Sequence, residues 1–329
     1  MPPRKRASQK DEQATWMRAA AIDRFGPPSA IRVHILLMPK PGPREILIEL
    51  RAAGVGGWDE AVRDGSWKPE GRQRFPLVLG TDGAGVVVAK GKRVRRFALR
   101  DRVWAYVSAN PKGGFYAEFV AVDERAAGHV PRRLDLLQAG AGAVTGLTAL
   151  QGIDDTLHVR RGETVLIFGA SGAVGTLAVQ FAKRHGARVL ATASGRAAQG
   201  TVRRLGAEAV IDARSDKAIE QLRELAPKGI DAALALAGGD ALEHCLDFVR
   251  DGGRVAYPNG IDPEPERRPT FRPQGYDVEA GPREFARLAR AAEETRLRVP
   301  IAATYPLARA ADAHRRLKKH IVGRLVLTM

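Results

Sequence analysis

Apolar residues in the first third of the chain fall in short runs that glycine and proline interrupt. Ala19 to Ile22, Ile31 to Leu37 and Glu45 to Ala53 read as strands, divided by Gly26-Pro27-Pro28 and by Pro39, Pro41, Gly42 and Pro43. Turn residues at this density predict a β-rich lobe. Further on the pattern changes. Apolar runs near residues 164, 188, 209, 231 and 253 alternate with stretches of helical periodicity, the βαβα order of a parallel sheet. A helix from Pro282 to about Thr295 and a final strand follow. Residues 1–15 are polar and aperiodic and are expected to form a disordered leader.

The clearest unit runs from Thr164 to Arg196. Val165, Leu166, Ile167 and Phe168 make a continuous apolar run that stops at Gly169-Ala170-Ser171-Gly172-Ala173-Val174-Gly175, and a helical pattern with Leu177, Ala178, Phe181 and Ala182 continues to Gly186. A second strand, Arg188 to Thr192, comes next. This βαβ unit of about thirty residues suits a dinucleotide pyrophosphate, because glycines let backbone N–H groups approach phosphate and a helix N-terminus adds unpaired donors. The turn departs from the usual G-x-G-x-x-G, with Ala170 in the first glycine place, so the flanking strands and helix carry the assignment.

Composition narrows the class. The 329 residues suffice for two domains, and 44% hydrophobic residues is ordinary for a globular chain. A single cysteine, Cys245, excludes an intramolecular disulfide and a cysteine-rich metal lobe. No apolar run approaches the roughly twenty residues of a membrane span, which makes the cytoplasm the expected location. The net charge of +16 is spread over every segment in short clusters, without the interleaved aromatics of a nucleic-acid platform, and reads as an arginine-rich surface that draws in anions.

Several weak motifs occur in one order: Gly54-Val55 with Asp59, Pro76-Leu-Val-Leu-Gly80 with Asp82, Ala84, Gly85 and Val87, Phe97 with Asp101-Arg-Val103, the glycine turn, Val144-Thr145-Gly146, and Gly323-Arg-Leu-Val-Leu327. Together they resemble the medium-chain dehydrogenase/reductase superfamily, in its zinc-free quinone oxidoreductase-like branch. The resemblance implies an α/β fold, a Rossmann doubly wound parallel sheet (residues 136–278) inserted in a GroES-like β-barrel domain (residues 16–135 plus 279–329). It also implies a homodimer joined through the Rossmann sheet. The family's zinc positions match Gly56, Thr81 and Ala141, none of which is a usual zinc ligand, so no metal is expected.

The same resemblance sets the candidate site. The turn residues Ala170 to Gly175 are expected to hold a pyrophosphate. An acid at the end of the second Rossmann strand would favour NAD; Ser194 and Arg196 stand there instead, a hydroxyl and a guanidinium suited to the extra phosphate of NADPH, unless they are ordinary loop residues. Thr145 is placed by resemblance near the nicotinamide, at the start of a helix for which it would alternatively be the N-cap. Ala237, Gly238, Asn259 and Gly260 follow later strands, where a parallel sheet receives ligands.

The catalytic group is read from the substrate loop, where relatives have an asparagine and this chain has Gly56. Asp59, Trp58 and Trp67 are the catalytic-site candidates. Asp59 serves as a proton relay or, alternatively, caps a short helix over residues 59–63; the tryptophans stack on a flat substrate or belong to the core. Tyr257 and Tyr106 are weaker candidates for a donor hydroxyl. The expected activity is zinc-independent, NADPH-dependent hydride transfer to quinones or to the activated double bond of α,β-unsaturated carbonyl compounds. The alternatives are an enoyl-thioester reductase and a non-catalytic nucleotide- or RNA-binding protein of the same fold.

Overall fold

The computed structural model describes residues 15–68 and 74–329. The expected leader therefore lies almost wholly outside the described residues.

Strands β1 (Trp16–Ile22), β2 (Ile31–Leu37) and β3 (Glu45–Val55) lead into a short helix α1 (Gly57–Asp64). Strands β4 (Leu77–Val78), β5 (Asp82–Lys90), β6 (Arg102–Tyr106), β7 (Phe119–Asp123) and β8 (Ala127–His129) complete the first lobe before α2 (Leu136–Gln151). Then come β9 (Thr164–Phe168), α3 (Ala173–Arg184), β10 (Arg188–Thr192), α4 (Arg196–Leu205), β11 (Ala209–Ile211) and α5 (Ala218–Leu225). The chain continues through β12 (Ile230–Ala235), α6 (Asp240–Leu246), β13 (Val249–Pro258) and β14 (Gln274–Tyr276). It closes with α7 (Pro282–Thr295), β15 (Ile301–Pro306), α8 (Ala310–Leu317) and β16 (Arg324–Thr328).

Two sheets carry most of the architecture. Six strands run parallel in the order β11-β10-β9-β12-β13-β14, so the order reverses beside β9, where a doubly wound sheet opens its binding crevice. The other sheet, β15-β16-β3-β5-β6-β8 with β7 also on β3, is antiparallel except for the parallel pair β15-β16. Its strand β16 arrives from the end of the chain and pairs with β3, Val326 opposite Gly54. A smaller antiparallel sheet, β2-β1-β4, flanks the lobe.

Helix α2 joins the two sheets. Asp135 caps it, accepting the Gln138 N–H at 2.7 Å while Gln138 Oε1 accepts the Asp135 N–H. Its sequence is rich in glycine and alanine because both sheets press on it: a Cβ on Gly140 would sit 2.6 Å from the Ala52 Cβ. Ala52, Ala84 and Trp104 from the antiparallel sheet and Val165 and Ile167 from the parallel one thereby share one core around α2. A helix buried on nearly all sides is expected to be apolar all round, as this one is.

Candidate active site

The glycine turn sits where β9 meets α3. Gly169 takes φ +83°, and its N–H donates to the Thr192 hydroxyl at 2.9 Å, tying the turn to β10. A Cβ on Gly175 would lie 2.4 Å from the Gly169 carbonyl oxygen, so glycine here permits α3 to pack directly on the strand end. Gly172 is the N-cap and offers no side chain to the helix. The N–H groups of Ala173, Val174 and Gly175 have no acceptor among the described residues, which leaves an open, partially positive helix end at the crevice. Ala170 is fully buried and its N–H is bonded to Thr192 O. Ser171, 7% exposed, accepts the Gly323 N–H on its carbonyl at 2.9 Å.

The far ends of the neighbouring strands lie on the same edge. Leu236 donates its N–H to Phe168 O, which carries Ala237 and Gly238 to the flank of the turn. Gly238 is held by the Pro263 backbone, which leaves no room for a Cβ. Asn259 and Gly260 follow β13, and the Asn259 N–H donates to Tyr276 O at 2.9 Å.

At the other end of that edge, Ser194 and Arg196 flank Gly195, the N-cap of α4. Arg196 is exposed and forms no ion pair among the described residues. No acid follows β10 in the sequence, but the fold brings one to this corner from the next strand. β10 and β11 pair with Thr192 opposite Ile211, so the next residues bring Ser194 against Asp212, and the serine hydroxyl donates to the carboxylate at 2.7 Å. That bond, further backbone donors and the Arg214 charge hold Asp212 below the usual carboxylate range. The corner contains two guanidinium groups, Arg196 and Arg214, and one carboxylate whose acceptor capacity is already engaged.

Thr145 does not stand at the start of its helix and is not its N-cap. It is the tenth residue of α2 and its hydroxyl donates to Ala141 O at 2.8 Å, four residues back, so Asp135 is the cap and Thr145 is not. Its neighbour Val144 is unusual. The Val144 N–H donates to Asp82 Oδ2 at 3.0 Å, and Asp82 Oδ1 is 2.6 Å from Arg324 Nη2. Both members of this ion pair are buried, Asp82 at 0% and Arg324 at 4% exposure. Arg324 follows Gly323, so two consecutive residues tie the antiparallel lobe's buried charges to the glycine turn. Sequence reading did not find this pair, although Gly54 is a trace of it: a Cβ there would fall 2.4 Å from the Arg324 guanidinium.

Asp59 lies beside this pair, 1% exposed, and does not open to solvent. It is the third residue of α1, which spans residues 57–64 rather than 59–63, and its Oδ2 accepts the Gly56 N–H at 2.8 Å. Capping is thus what the geometry gives it. Behind it runs a chain of donors whose direction can be deduced. Arg63 can only donate, so His314 Nδ1, 3.2 Å away, accepts; Nε2 then carries the hydrogen and donates to the Tyr116 hydroxyl at 3.3 Å, freeing the phenol proton for Asp59. Burial and the Arg63 charge push His314 down to about 3, which keeps the ring neutral as the chain requires.

Burial, and less strongly the Asp82 charge, push the Asp59 carboxyl up to about 7 against the pull of Arg324. Oδ1 has no hydrogen-bond partner among the described residues, so nothing there offsets the cost of burying the charged form. The folded protein then holds a proton that the unfolded chain releases near pH 4, and stability falls as the pH rises from about 4 to about 7, by roughly 1 kcal/mol per pH unit. In Asp59→Asn this slope flattens, which urea unfolding at pH 5 and pH 7.5 measures; an unchanged slope refutes the assignment.

Trp58 and Trp67 form a tilted stack, ring centroids 4.6 Å apart and planes at 47°. Trp58 is 37% exposed and Trp67 half-buried, and neither belongs to a buried core cluster, so the core reading of both does not hold. The tyrosines are less available. Tyr257 donates its hydroxyl to Glu264 Oε2 at 2.8 Å, and burial with the nearby Asp82, Asp277 and Asp59 charges pushes the Tyr106 phenol up to about 12.

The chain matches two family models, the alcohol dehydrogenase GroES-like domain over residues 42–132 and the zinc-binding dehydrogenase over residues 205–327. It is 30% identical to the quinone oxidoreductase of Lama guanicoe, over 95% of this chain and 98% of that one. Among solved structures, an NAD-dependent alcohol dehydrogenase superposes with a TM-score of 0.86 at 29% identity, covering 95% of this chain and all of the other. A mycobacterial protein solved in complex with NADPH superposes at 0.82 and 28%, with the same coverage. The chain belongs to the medium-chain dehydrogenase/reductase superfamily, in its quinone oxidoreductase-like branch, and is an oxidoreductase of that family.

Zinc, which one family model's name implies, does not fit these residues. No group of three histidine, cysteine or acidic side chains converges among the described residues. Gly56 carries no side chain that could bind a metal, and the space beside it is shared by the Arg324 guanidinium, 3.8 Å from where a Cβ would be, and Asp59 Oδ2, at 3.9 Å, which already accepts the Gly56 N–H.

Proposed function

We propose that this oxidoreductase is NADPH-dependent and zinc-independent and reduces quinones or the activated double bond of α,β-unsaturated carbonyl compounds. The observation that carries the reading is the shared edge of the parallel sheet. It has an open helix N-terminus at Ala173 to Gly175, and at its far end Ser194, bonded to Asp212, is followed by Arg196 at the start of α4, with the Arg214 charge also acting on Asp212. Such an arrangement suits a dinucleotide with an additional phosphate, because two planar guanidinium groups outweigh one hydrogen-bonded carboxylate.

When bound, NADPH supplies a hydride. Ala170 to Gly175 would hold its pyrophosphate, Ser194 and Arg196 the adenosine phosphate, and Ala237, Gly238, Asn259 and Gly260, with Thr145 on α2, the nicotinamide side. Trp58 and Trp67 offer a flat substrate an aromatic face from the other lobe. With the Tyr257 hydroxyl committed to Glu264, the final proton comes from solvent or from another cleft hydroxyl. A homodimer in the cytoplasm belongs to the same reading.

The test is consumption of NADPH in the presence of 1,4-quinones and short enones. Turnover with NADPH is expected, and Arg196→Glu lowers the NADPH-to-NADH ratio of kcat/KM by about tenfold or more. No turnover together with no NADPH binding overturns the proposal, and an unchanged ratio removes Arg196 from it.

A further inference from the structure

On the side of the parallel sheet's helical layer away from the glycine turn, the C-terminal ends of α3, α4 and α7 border an open cavity of about 450 Å³. Lys183, Arg204, Arg296 and Arg298 line it, all exposed at its mouth, and none has a carboxylate partner among the described residues. The cavity's other charges are already engaged: Arg184 contacts Glu294 and Asp154, and Asp154 also meets His185 and Arg287.

The cations are not there to cap the helices. The last-turn carbonyls of Ala182, Lys183, Arg203 and Glu293 already accept backbone N–H groups. Even the full opposing helix dipoles, about half a negative charge for each of three C-termini, leave roughly 2.5 positive charges of the four. The local structure favours the placement of two of these residues. Gly206, at φ +122°, has no Cβ, and one would lie 2.4 Å from the Lys183 stem. Gln180 clamps the backbone of Arg298, donating to its carbonyl at 2.8 Å and accepting its N–H at 2.9 Å.

We infer that this cavity is a second anion site, separate from the dinucleotide crevice, that binds an oligophosphate group. Its charge matches two or three phosphate negatives. Leu205 is its only large apolar lining residue and no aromatic ring borders it, so it has no platform on which to read a nucleobase. It is an open depression bounded by three helix ends, and its cations converge on one point, which suits a compact polyanion. The α3 helix separates it from the glycine turn by twelve residues, about 18 Å.

Calorimetric titration of the full chain with inorganic triphosphate at physiological salt, with and without saturating NADPH, tests this. Binding is expected in both conditions, so the result does not depend on the cofactor assignment. Lys183→Gln with Arg298→Gln weakens it by about tenfold or more, whereas Lys92→Gln with Arg93→Gln, a charge-matched change on another exposed cluster, alters it by less than about twofold. Thermal unfolding of both pairs confirms that each is folded, and Arg296→Gln alone repeats the test if the first pair is not. Absence of binding, equal loss in both pairs, displacement of triphosphate by NADPH, or tighter binding of oligouridylate than of triphosphate overturns the inference.

Discussion

Replacing Arg324 by methionine lowers the unfolding free energy by about 3–5 kcal/mol, the range for removing one partner of a buried ion pair. Asp82 is 0% exposed, and Arg324 is the only cation paired with it among the described residues. Without the guanidinium its carboxylate stays buried beside Asp59, with the Val144 N–H as its remaining close donor. The loss is measured by urea denaturation at neutral pH. A second variant isolates the cause: Arg324→Met with Asp82→Leu recovers most of the loss, because both charges are then gone. A single variant within about 1 kcal/mol of the parent would show that the pair carries little of the stability.

Gly175→Val reduces NADPH affinity by about 100-fold or more and lowers the melting temperature. The added Cβ would meet backbone on two sides, the Gly169 oxygen at 2.4 Å and the Ala170 Cα at 2.6 Å, so no side-chain rotation relieves the overlap. α3 must shift off the strand end, and the donors at its N-terminus move with it. Gly172→Ala makes the comparison informative. Its Cβ would have only the Gly169 oxygen nearby, at 3.4 Å, so the fold tolerates it, while the added carbon still stands where phosphate would approach. Fluorescence titration with NADPH beside thermal unfolding separates the two: Gly172→Ala loses affinity at unchanged melting temperature. Full affinity in both variants would remove the turn from the binding site.

What could be read in the sequence is what repeats or turns locally. The run from Val165 to Phe168, the helix after it and the strand Arg188–Thr192 follow from apolar periodicity and from glycines that only a tight βα turn requires. The helix Pro282–Thr295 coincides with its expectation because proline at its start and amphipathic spacing define it. Single polar residues that meet across the fold have no such period. Asp212 reaches Ser194 through the pairing of β10 and β11, and Asp82 meets Arg324 from the opposite end of the chain. The misplacement of Thr145 has a local cause: glycine and alanine over residues 139–143 conceal a helix whose cap, Asp135, lies ten residues earlier.

The pairing of Asp82 with Arg324 has a consequence for synthesis. The two residues are 242 positions apart. At roughly 5–20 residues per second, the ribosome makes the arginine on the order of ten to fifty seconds after the aspartate. During that interval the nascent first lobe lacks both its internal counter-charge and the strand β16 that completes β3, while every strand of the parallel sheet emerges in between. The lobe begun first is therefore finished last, on a scaffold already folded, and an open edge at β3 is the surface that a chaperone has reason to cover.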